Sequence, residues 1–78
     1  MELILNTYGV SLSSDNGGFV IKTADGKQRV PAVGISSIQI SKGAQITSDA
    51  VMLAVEKEIE IIFMDKAGNP MGRVWSPR

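Results

Sequence analysis

Closely spaced turn signals divide this chain into short segments and leave no room for long helices. Asn16-Gly17 and Asp25-Gly26 are typical of two-residue hairpin turns, because these residues tolerate the positive φ angles that match strand twist. Gly9 suits a turn with positive φ, and Lys42-Gly43 and the segment 65–69 add two more turns. The spacing therefore predicts a chain of short antiparallel strands.

The segments between these turns have the hydrophobic patterns of strands. We predict strands over residues 2–6, 10–13, 19–23, 28–30, 34–41, 45–47, 59–64 and 71–76. The imperfect alternation of segment 34–41 predicts a bulge or bend near Ser36-Ser37. Segment 59–64 has Glu60 as its only polar residue, which predicts a central strand covered on both faces.

A single segment has the features of a helix. Thr47 or Ser48 can cap its N-terminus, and Asp49 is placed favourably in its first turn. The run 50–55 is apolar all round, which predicts a short helix near 48–57 that is almost fully buried, with a frayed acidic end. The predicted fold class is mainly β with one short helix (α+β), arranged as a two-sheet β-sandwich of short antiparallel strands.

Composition limits how this domain can be stabilised. The chain has 78 residues, no cysteine and no histidine, which excludes disulfides, thiolate or imidazole metal sites and the commonest general base. A chain this short has a thin core, so we expect association with another chain or domain to stabilise it. Eight basic residues balance eight acidic ones, which argues against an autonomous nucleic-acid binder. Without a signal peptide or a long apolar run, we expect a cytoplasmic protein.

The polar motifs do not form a recognisable catalytic or metal site. Gly17-Gly18 and Lys42-Gly43 lack the spacing of a phosphate-binding loop and are interpreted as turns. Asp15, Asp25 and Asp65 also lie in predicted turns, where an aspartate accepts hydrogen bonds from nearby backbone N–H groups. The serines have no histidine to activate them. We therefore predict no catalytic and no metal-binding residue in this chain.

Two aromatic residues are candidates for recognition. Tyr8 stands in a turn beside Gly9, where a ring can either stack on a nucleic-acid base or close the edge of the sandwich. Trp75, near the end of the chain, is interpreted as a packing or dimer contact rather than a ligand platform. Tyr8 is thus the one DNA-binding candidate, and no dimer-interface residue is identified.

The ordered series of these elements resembles the N-terminal β-domain of the CRISPR-associated adaptation endonuclease, the integrase that inserts new spacers. The segments that carry the resemblance are Tyr8-Gly9, Asn16-Gly17-Gly18-Phe19-Val20, Val30-Pro31, 35–40, 43–54, 58–65 and 68–74. Together they run through essentially all of the chain. No single motif is decisive, because each is a turn or core pattern.

The resemblance implies that residues 1–78 are a non-catalytic domain of a larger protein. In that family, a metal-dependent DNA endonuclease site (Mg²⁺ or Mn²⁺) lies in a helical C-terminal domain, which this chain does not include. The β-domains form a homodimer, which works with a second CRISPR adaptation protein on double-stranded DNA and involves no membrane. Tyr8 matches an aromatic residue that some members stack on the end of the duplex. Gln45 and Met52 stand where relatives carry basic residues, which weakens the case for strong DNA contact by this part of the chain.

Two alternatives from other functional classes stay open. A small stand-alone barrel that binds nucleic acid, of the OB type, requires exposed aromatics and a basic groove, whereas this chain has four aromatics and a net charge of zero. A structural adaptor without nucleic acid is also compatible with the sequence. Measuring DNA binding and determining the length of the natural protein would distinguish these alternatives from the integrase domain.

Overall fold

The computed structural model describes residues 1–76 and, within them, contains eight strands and one helix. The elements are β1 (Glu2–Leu5), β2 (Ser11–Asp15), β3 (Gly18–Thr23), β4 (Gly26–Val30), β5 (Ser37–Ser41), β6 (Gln45–Ile46), α1 (Ser48–Glu56), β7 (Glu60–Met64) and β8 (Pro70–Val74). They form two four-stranded sheets, with strand orders β1-β5-β7-β8 (sheet A) and β4-β3-β2-β6 (sheet B). The predicted class, mainly strands in two sheets with one short helix, is confirmed.

The strand directions differ from the prediction, because the sheets are mixed rather than wholly antiparallel. The hairpins β2–β3, β3–β4 and β7–β8 are antiparallel, as the predicted turns between these strands indicated. However, β5 pairs in parallel with both β1 and β7, and β6 pairs in parallel with β2. Parallel neighbours require a crossover connection. Here the chain leaves sheet A after β1 to build most of sheet B, and it leaves sheet A again between β5 and β7.

The inner faces of the two sheets and one face of the helix share a single core. Leu12 and Phe19 of sheet B and Ile38 and Ile61 of sheet A are fully buried, as is Ala50 of the helix. A Leu or Phe side chain buried to this degree contributes about 1.5–3 kcal/mol relative to an exposed one. The core is therefore concentrated between the sheets, and the ends of the strands lie near solvent.

The helix is capped as predicted but is not buried all round. Thr47 is the N-cap, and its Oγ1 accepts a hydrogen bond of 3.2 Å from the backbone N–H of Ala50. Ala50, Leu53 and Ala54 face the core, whereas Met52 is 60% exposed. The prediction of an almost fully buried helix is therefore wrong. An apolar run does not show which face lacks a neighbour, and this helix packs against the two sheets on one side only.

The prediction that segment 59–64 forms a central strand is confirmed, but the prediction that both of its faces are covered is wrong. Strand β7 lies between β5 and β8, as expected of a central strand. Its inward side chain Ile61 is buried, but Ile62 on the outer face is only half-buried. The predicted bend near Ser36-Ser37 corresponds to the start of β5 at Ser37, after a turn in which the N–H of Ile35 donates to the Ala32 carbonyl at 3.2 Å.

Both sheets end in edge strands, so the barrel alternative is not supported. Strands β1 and β8 bound sheet A, and β4 and β6 bound sheet B. Within residues 1–76, no helix is long and apolar enough to cross a bilayer. The fold is a pair of open mixed sheets held together by one core.

Candidate nucleic-acid interface

Tyr8 lies in the turn that carries the chain from sheet A to sheet B. The backbone N–H of Val10 donates to the carbonyl of Thr7 at 3.2 Å, and Gly9 adopts a positive φ of 84°. The Tyr8 side chain is 88% exposed, the largest value among the exposed large hydrophobic residues of the described chain. This exposure contradicts one of the two interpretations of Tyr8, in which its ring closes the edge of the sandwich.

The exposed ring rests on the backbone of a second turn. The N–H of Gly9 donates to the carbonyl of Gly43 at 2.9 Å, which ties the two turns together. A Cβ atom placed on Gly43 would come within 2.6 Å of Cδ1 of Tyr8. Gly43 also has a φ of +98°, which non-glycine residues rarely adopt. Glycine at position 43 thus allows the ring to lie against the backbone while its other face points to solvent.

A shallow groove of about 510 Å³ begins at the Tyr8 ring and runs to the β3–β4 hairpin. The residues that line it include Tyr8, Ser11, Lys22, Asp25 and Gln45. The groove holds hydroxyl, amide and ammonium donors beside one carboxylate. Such donors match phosphate oxygens, which receive most protein–DNA hydrogen bonds.

The aspartates considered as metal ligands each have a different role. Asp15 accepts a hydrogen bond of 2.9 Å from Arg29 and forms an ion pair with it, rather than capping a turn. In the β3–β4 hairpin the cap is the hydroxyl of Thr23, which accepts from the backbone N–H of Asp25 at 3.2 Å. Asp65 does cap its turn, as predicted.

The Asp65 carboxylate organises the β7–β8 turn. Its Oδ1 accepts hydrogen bonds from the backbone N–H groups of Asn69 and Ala67, at 2.8 and 2.9 Å. The bond from the Asn69 N–H contributes most to holding the pKa of Asp65 below its ordinary value, and desolvation partly opposes it. These oxygens are already engaged by the turn, so Asp65 is a structural carboxylate.

Within the described part of the chain, the carboxylates do not fit a divalent metal ion. No three metal-ligating side chains come together among residues 1–76. Asp15 pairs with Arg29, Glu60 pairs with Arg73 at 3.0 Å, and Asp65 binds its own turn. Magnesium and manganese need convergent oxygen ligands, which these separate contacts do not provide.

Trp75 lies outside the core, at the end of β8. Its ring is 59% exposed, and the Arg73 guanidinium sits 5.9 Å from the ring centroid, within the range of a cation–π contact. Arg73 also forms an ion pair with Glu60, and register places Arg73 beside Ile62, so this contact lies on the outer side of sheet A. The sequence interpretation of Trp75 as a packing or dimer contact missed the Arg73 partner, which the two-residue spacing along a strand could have indicated.

The outer face of sheet A is the second surface with exposed apolar groups. Cross-strand register places Ile4, Gln39, Ile62 and Arg73 side by side. Ile4 is 52% exposed, and Ile62 is half-buried. Sequence patterning assigned both residues to strands, but it did not show that no other layer of residues 1–76 covers this face.

Comparison with known proteins identifies the family. The family model for "CRISPR associated protein Cas1" matches residues 3–78. The CRISPR-associated endonuclease Cas1 1 of Pyrobaculum aerophilum is 35% identical over 78 residues, covering 99% of this chain and 26% of that protein. The chain spans between a fifth and about a quarter of the length of the curated relatives it matches.

Solved structures share the same fold at low sequence identity. A crystal structure of a TtCas1–DNA complex superposes with a TM-score of 0.82 at 19% identity, covering 96% of this chain and 29% of that one. A Cas6-RT-Cas1–Cas2 complex gives a TM-score of 0.87 at 19% identity, covering 97% of this chain and 8% of the matched chain. At this identity, the likeness establishes the architecture alone.

Proposed function

Since this chain belongs to the family of the CRISPR-associated protein Cas1, we propose that it is the non-catalytic N-terminal β-domain of a spacer-inserting integrase. In this proposal the domain pairs two subunits and positions duplex DNA, while metal-dependent cleavage and joining belong to a helical domain elsewhere in the protein. The carboxylates of Asp15, Glu60 and Asp65 support this division, because each is engaged in a separate structural contact.

The observation that carries the DNA-positioning role is the Tyr8 ring. It is 88% exposed, yet it rests on Gly43 and belongs to a turn anchored by a 2.9 Å hydrogen bond. An aromatic ring held in this way can stack on the terminal base pair of a duplex without ordering a flexible loop first. Base–aromatic stacking contributes about 1–3 kcal/mol per base.

Measured binding to a short blunt-ended duplex tests this role. We expect Tyr8→Ala to weaken binding by roughly 5- to 150-fold, because it removes the stacking surface. Tyr8→Phe keeps the ring and is expected to bind like the unsubstituted chain. Gly43→Ala, which displaces the ring while leaving it present, should resemble Tyr8→Ala. Equal affinity of the Ala and Phe variants at position 8 would remove Tyr8 from the interface.

The outer face of sheet A supports pairing of subunits. Strand β7 cannot extend a sheet across a two-fold axis, because both of its edges are already paired with β5 and β8. Its outer face, however, contributes Ile62 to an uncovered surface that also includes Ile4 and the Trp75 ring. A homodimer that covers this surface would supply the burial that a chain of this size lacks.

Neighbouring structures make two partners reasonable for the whole protein. One relative was solved with DNA and another in a complex with Cas2. We propose double-stranded DNA and a Cas2-type second adaptation protein as partners of the integrase to which this domain belongs. We further propose that the Mg²⁺ or Mn²⁺ site belongs to the helical domain and that the integrase works in the cytoplasm.

A further inference from the structure

An apolar cleft of about 380 Å³ lies where the edge strand β6 of sheet B meets sheet A. Both sheets contribute to its lining, with Ile46 from β6, Ile40 from β5, Phe63 from β7 and Met71 from β8. Ile40 is 3% exposed and belongs to the core, against which Ile46 and Phe63 also pack. The cleft is therefore a place where the core between the sheets opens to the surface, and its volume is within the range of roughly 300–1,000 Å³ that is typical of ligand sites.

Two methionines make this cleft adaptable. Met64 is half-buried, and Met71 is 72% exposed, at a point where the register between β7 and β8 shifts. Methionine side chains are flexible and polarizable, so they can pack against apolar groups of different shapes. An exposed methionine beside an opening in the core suits an apolar side chain that arrives from outside.

The backbone of β6 has one unpaired side. Among residues 1–76, β6 is an edge strand that pairs with β2 alone. The N–H groups of Gln45 and Thr47 donate to the carbonyls of Val10 and Leu12, each at 2.9 Å. Because N–H groups alternate in direction along a strand, the N–H of Ile46 points away from β2. An extended peptide can bond to this free edge, and alternate side chains of the peptide then point to the side of sheet B on which the cleft lies.

Lys42 adds a positive charge to the cleft. It is exposed and lines the cleft, and neither of the two ion pairs found within residues 1–76 includes it. Asp65 also lines the cleft, but its carboxylate accepts hydrogen bonds from the backbone of its own turn. A carboxylate on the bound peptide would therefore complement the charge of Lys42.

We propose that this cleft is a docking site for an extended segment of a partner protein. The segment adds a strand beside β6, places a leucine or phenylalanine side chain in the cleft and carries an acidic residue that faces Lys42. The backbone hydrogen bonds contribute affinity, and the cleft and Lys42 select the side chains. This inference goes beyond the DNA-positioning role, because Tyr8 does not line the cleft.

An NMR titration of the isotope-labelled 78-residue chain tests the site. The probe is a short acetylated and amidated peptide in which threonine alternates with leucine, with one aspartate near its end. The control peptide has the same residues in an order that breaks the alternation. We expect the probe to shift the amide signals of Ile46, Phe63 and Met71, and to bind about 10-fold more tightly than the control, which cannot place its apolar side chains on one face.

Backbone methylation of the probe tests the strand pairing without changing the protein. Alternate N–H groups of an extended peptide point to opposite edges, so methylating one set blocks pairing with β6 and methylating the other set does not. We expect the first peptide to bind roughly 2- to 10-fold more weakly, which corresponds to one lost hydrogen bond, and the second to bind like the parent.

Substitutions in the chain test the cleft itself. Met71→Glu places a charge beside the bound leucine and should weaken binding by about 10-fold or more. Met52→Glu is the matched control, because Met52 is also exposed but lies on the helix. Lys42→Gln should weaken binding by roughly 2- to 5-fold for the probe, and it should have no effect on a probe with asparagine in place of aspartate.

Three results would overturn this proposal. The first is an absence of shifts at Ile46, Phe63 and Met71 with the probe at millimolar concentration. The second is equal affinity for the two methylated peptides, which would exclude strand pairing. The third is a loss of self-association in Met71→Glu but not in Met52→Glu, which would show that a second copy of this chain occupies the cleft. None of these results bears on the binding of DNA by Tyr8, so the two proposals can fail separately.

Discussion

At the scale of single residues, the candidate site depends on the contact between Tyr8 and Gly43, and the sequence indicated a role for Tyr8 alone. Tyr8 was recognisable because a ring beside a turn glycine is poorly placed to join a core. Gly43 appeared to be an ordinary turn residue. Its importance comes from the tertiary contact in which the Tyr8 ring lies where a side chain at position 43 would be. Contacts between two turns far apart in sequence follow from the fold, and periodicity does not reveal them.

Asp65 gives a residue-scale prediction for pH. Its pKa is lowered in the folded state, chiefly by the backbone N–H of Asn69, so its stabilising effect is present at neutral pH. That effect should be lost as pH falls below about 4, through the ordinary range and then the lowered folded value. We therefore expect Asp65→Asn to lower the melting temperature at pH 7, and the difference from the unsubstituted chain to shrink in acid.

Thermal unfolding followed by circular dichroism at neutral and acid pH measures this effect. Asp25→Asn is the matched control, since that hairpin is capped by the Thr23 hydroxyl rather than by the Asp25 carboxylate. A loss of stability in Asp65→Asn that is the same at both pH values would show that the carboxylate charge is not responsible.

At the scale of elements, the end of the helix departs from expectation. The acidic residues after Val55 predicted a frayed last turn, but the helix closes with a Schellman motif. The N–H of Ile59 donates to the carbonyl of Ala54 at 2.8 Å, and the N–H of Glu58 donates to that of Val55 at 3.2 Å. Glu58 has a φ of 58°, in the left-handed region that favours glycine.

Replacing Glu58 with glycine should therefore stabilise the fold. Glycine relieves the left-handed strain and removes an acid from the negative end of the helix dipole, for a gain of about 0.5–1 kcal/mol. This corresponds to a rise in melting temperature of roughly 2–8 °C. Glu56→Gly is the control, because position 56 is still helical and glycine should destabilise it. A lower melting temperature for Glu58→Gly would contradict the interpretation.

The strands and the helix were easier to predict than the way in which the strands pair. Hairpins, the Thr47 cap and the central position of β7 follow from local turn chemistry and hydrophobicity. The β3–β4 hairpin shows the limit: its two-residue loop is Ala24-Asp25, since Thr23 pairs with Gly26, rather than the predicted Asp25-Gly26. A shift of one residue changes every cross-strand pair, so sequence alone did not bring Lys22 opposite Lys27.

At the scale of the whole molecule, the parallel pairings were not accessible to local reasoning. Nothing between residues 6 and 36 shows that β5 will lie beside β1, because that choice depends on how two sheets close over one core. The exposure of one face of sheet A was missed for the same reason. The apolar segment 59–64 was interpreted as a strand covered on both faces, but no other part of residues 1–76 covers its outer face.

That exposed face leads to the prediction for the assembled protein. Introducing a charge at Ile4, which is 52% exposed, should disrupt a dimer that covers sheet A while leaving the monomer folded. Met52→Glu is the matched control, because Met52 is 60% exposed on the helix, away from that sheet. Circular dichroism checks that both variants keep their strands and helix.

Sedimentation equilibrium of the 78-residue chain over a wide concentration range tests the central claim most directly. A domain that pairs subunits should reach a mass twice the 8.3 kDa of one chain, and Ile4→Glu should return it to the single-chain mass while Met52→Glu should not. A mass of 8.3 kDa for the unsubstituted chain at every concentration would contradict the account.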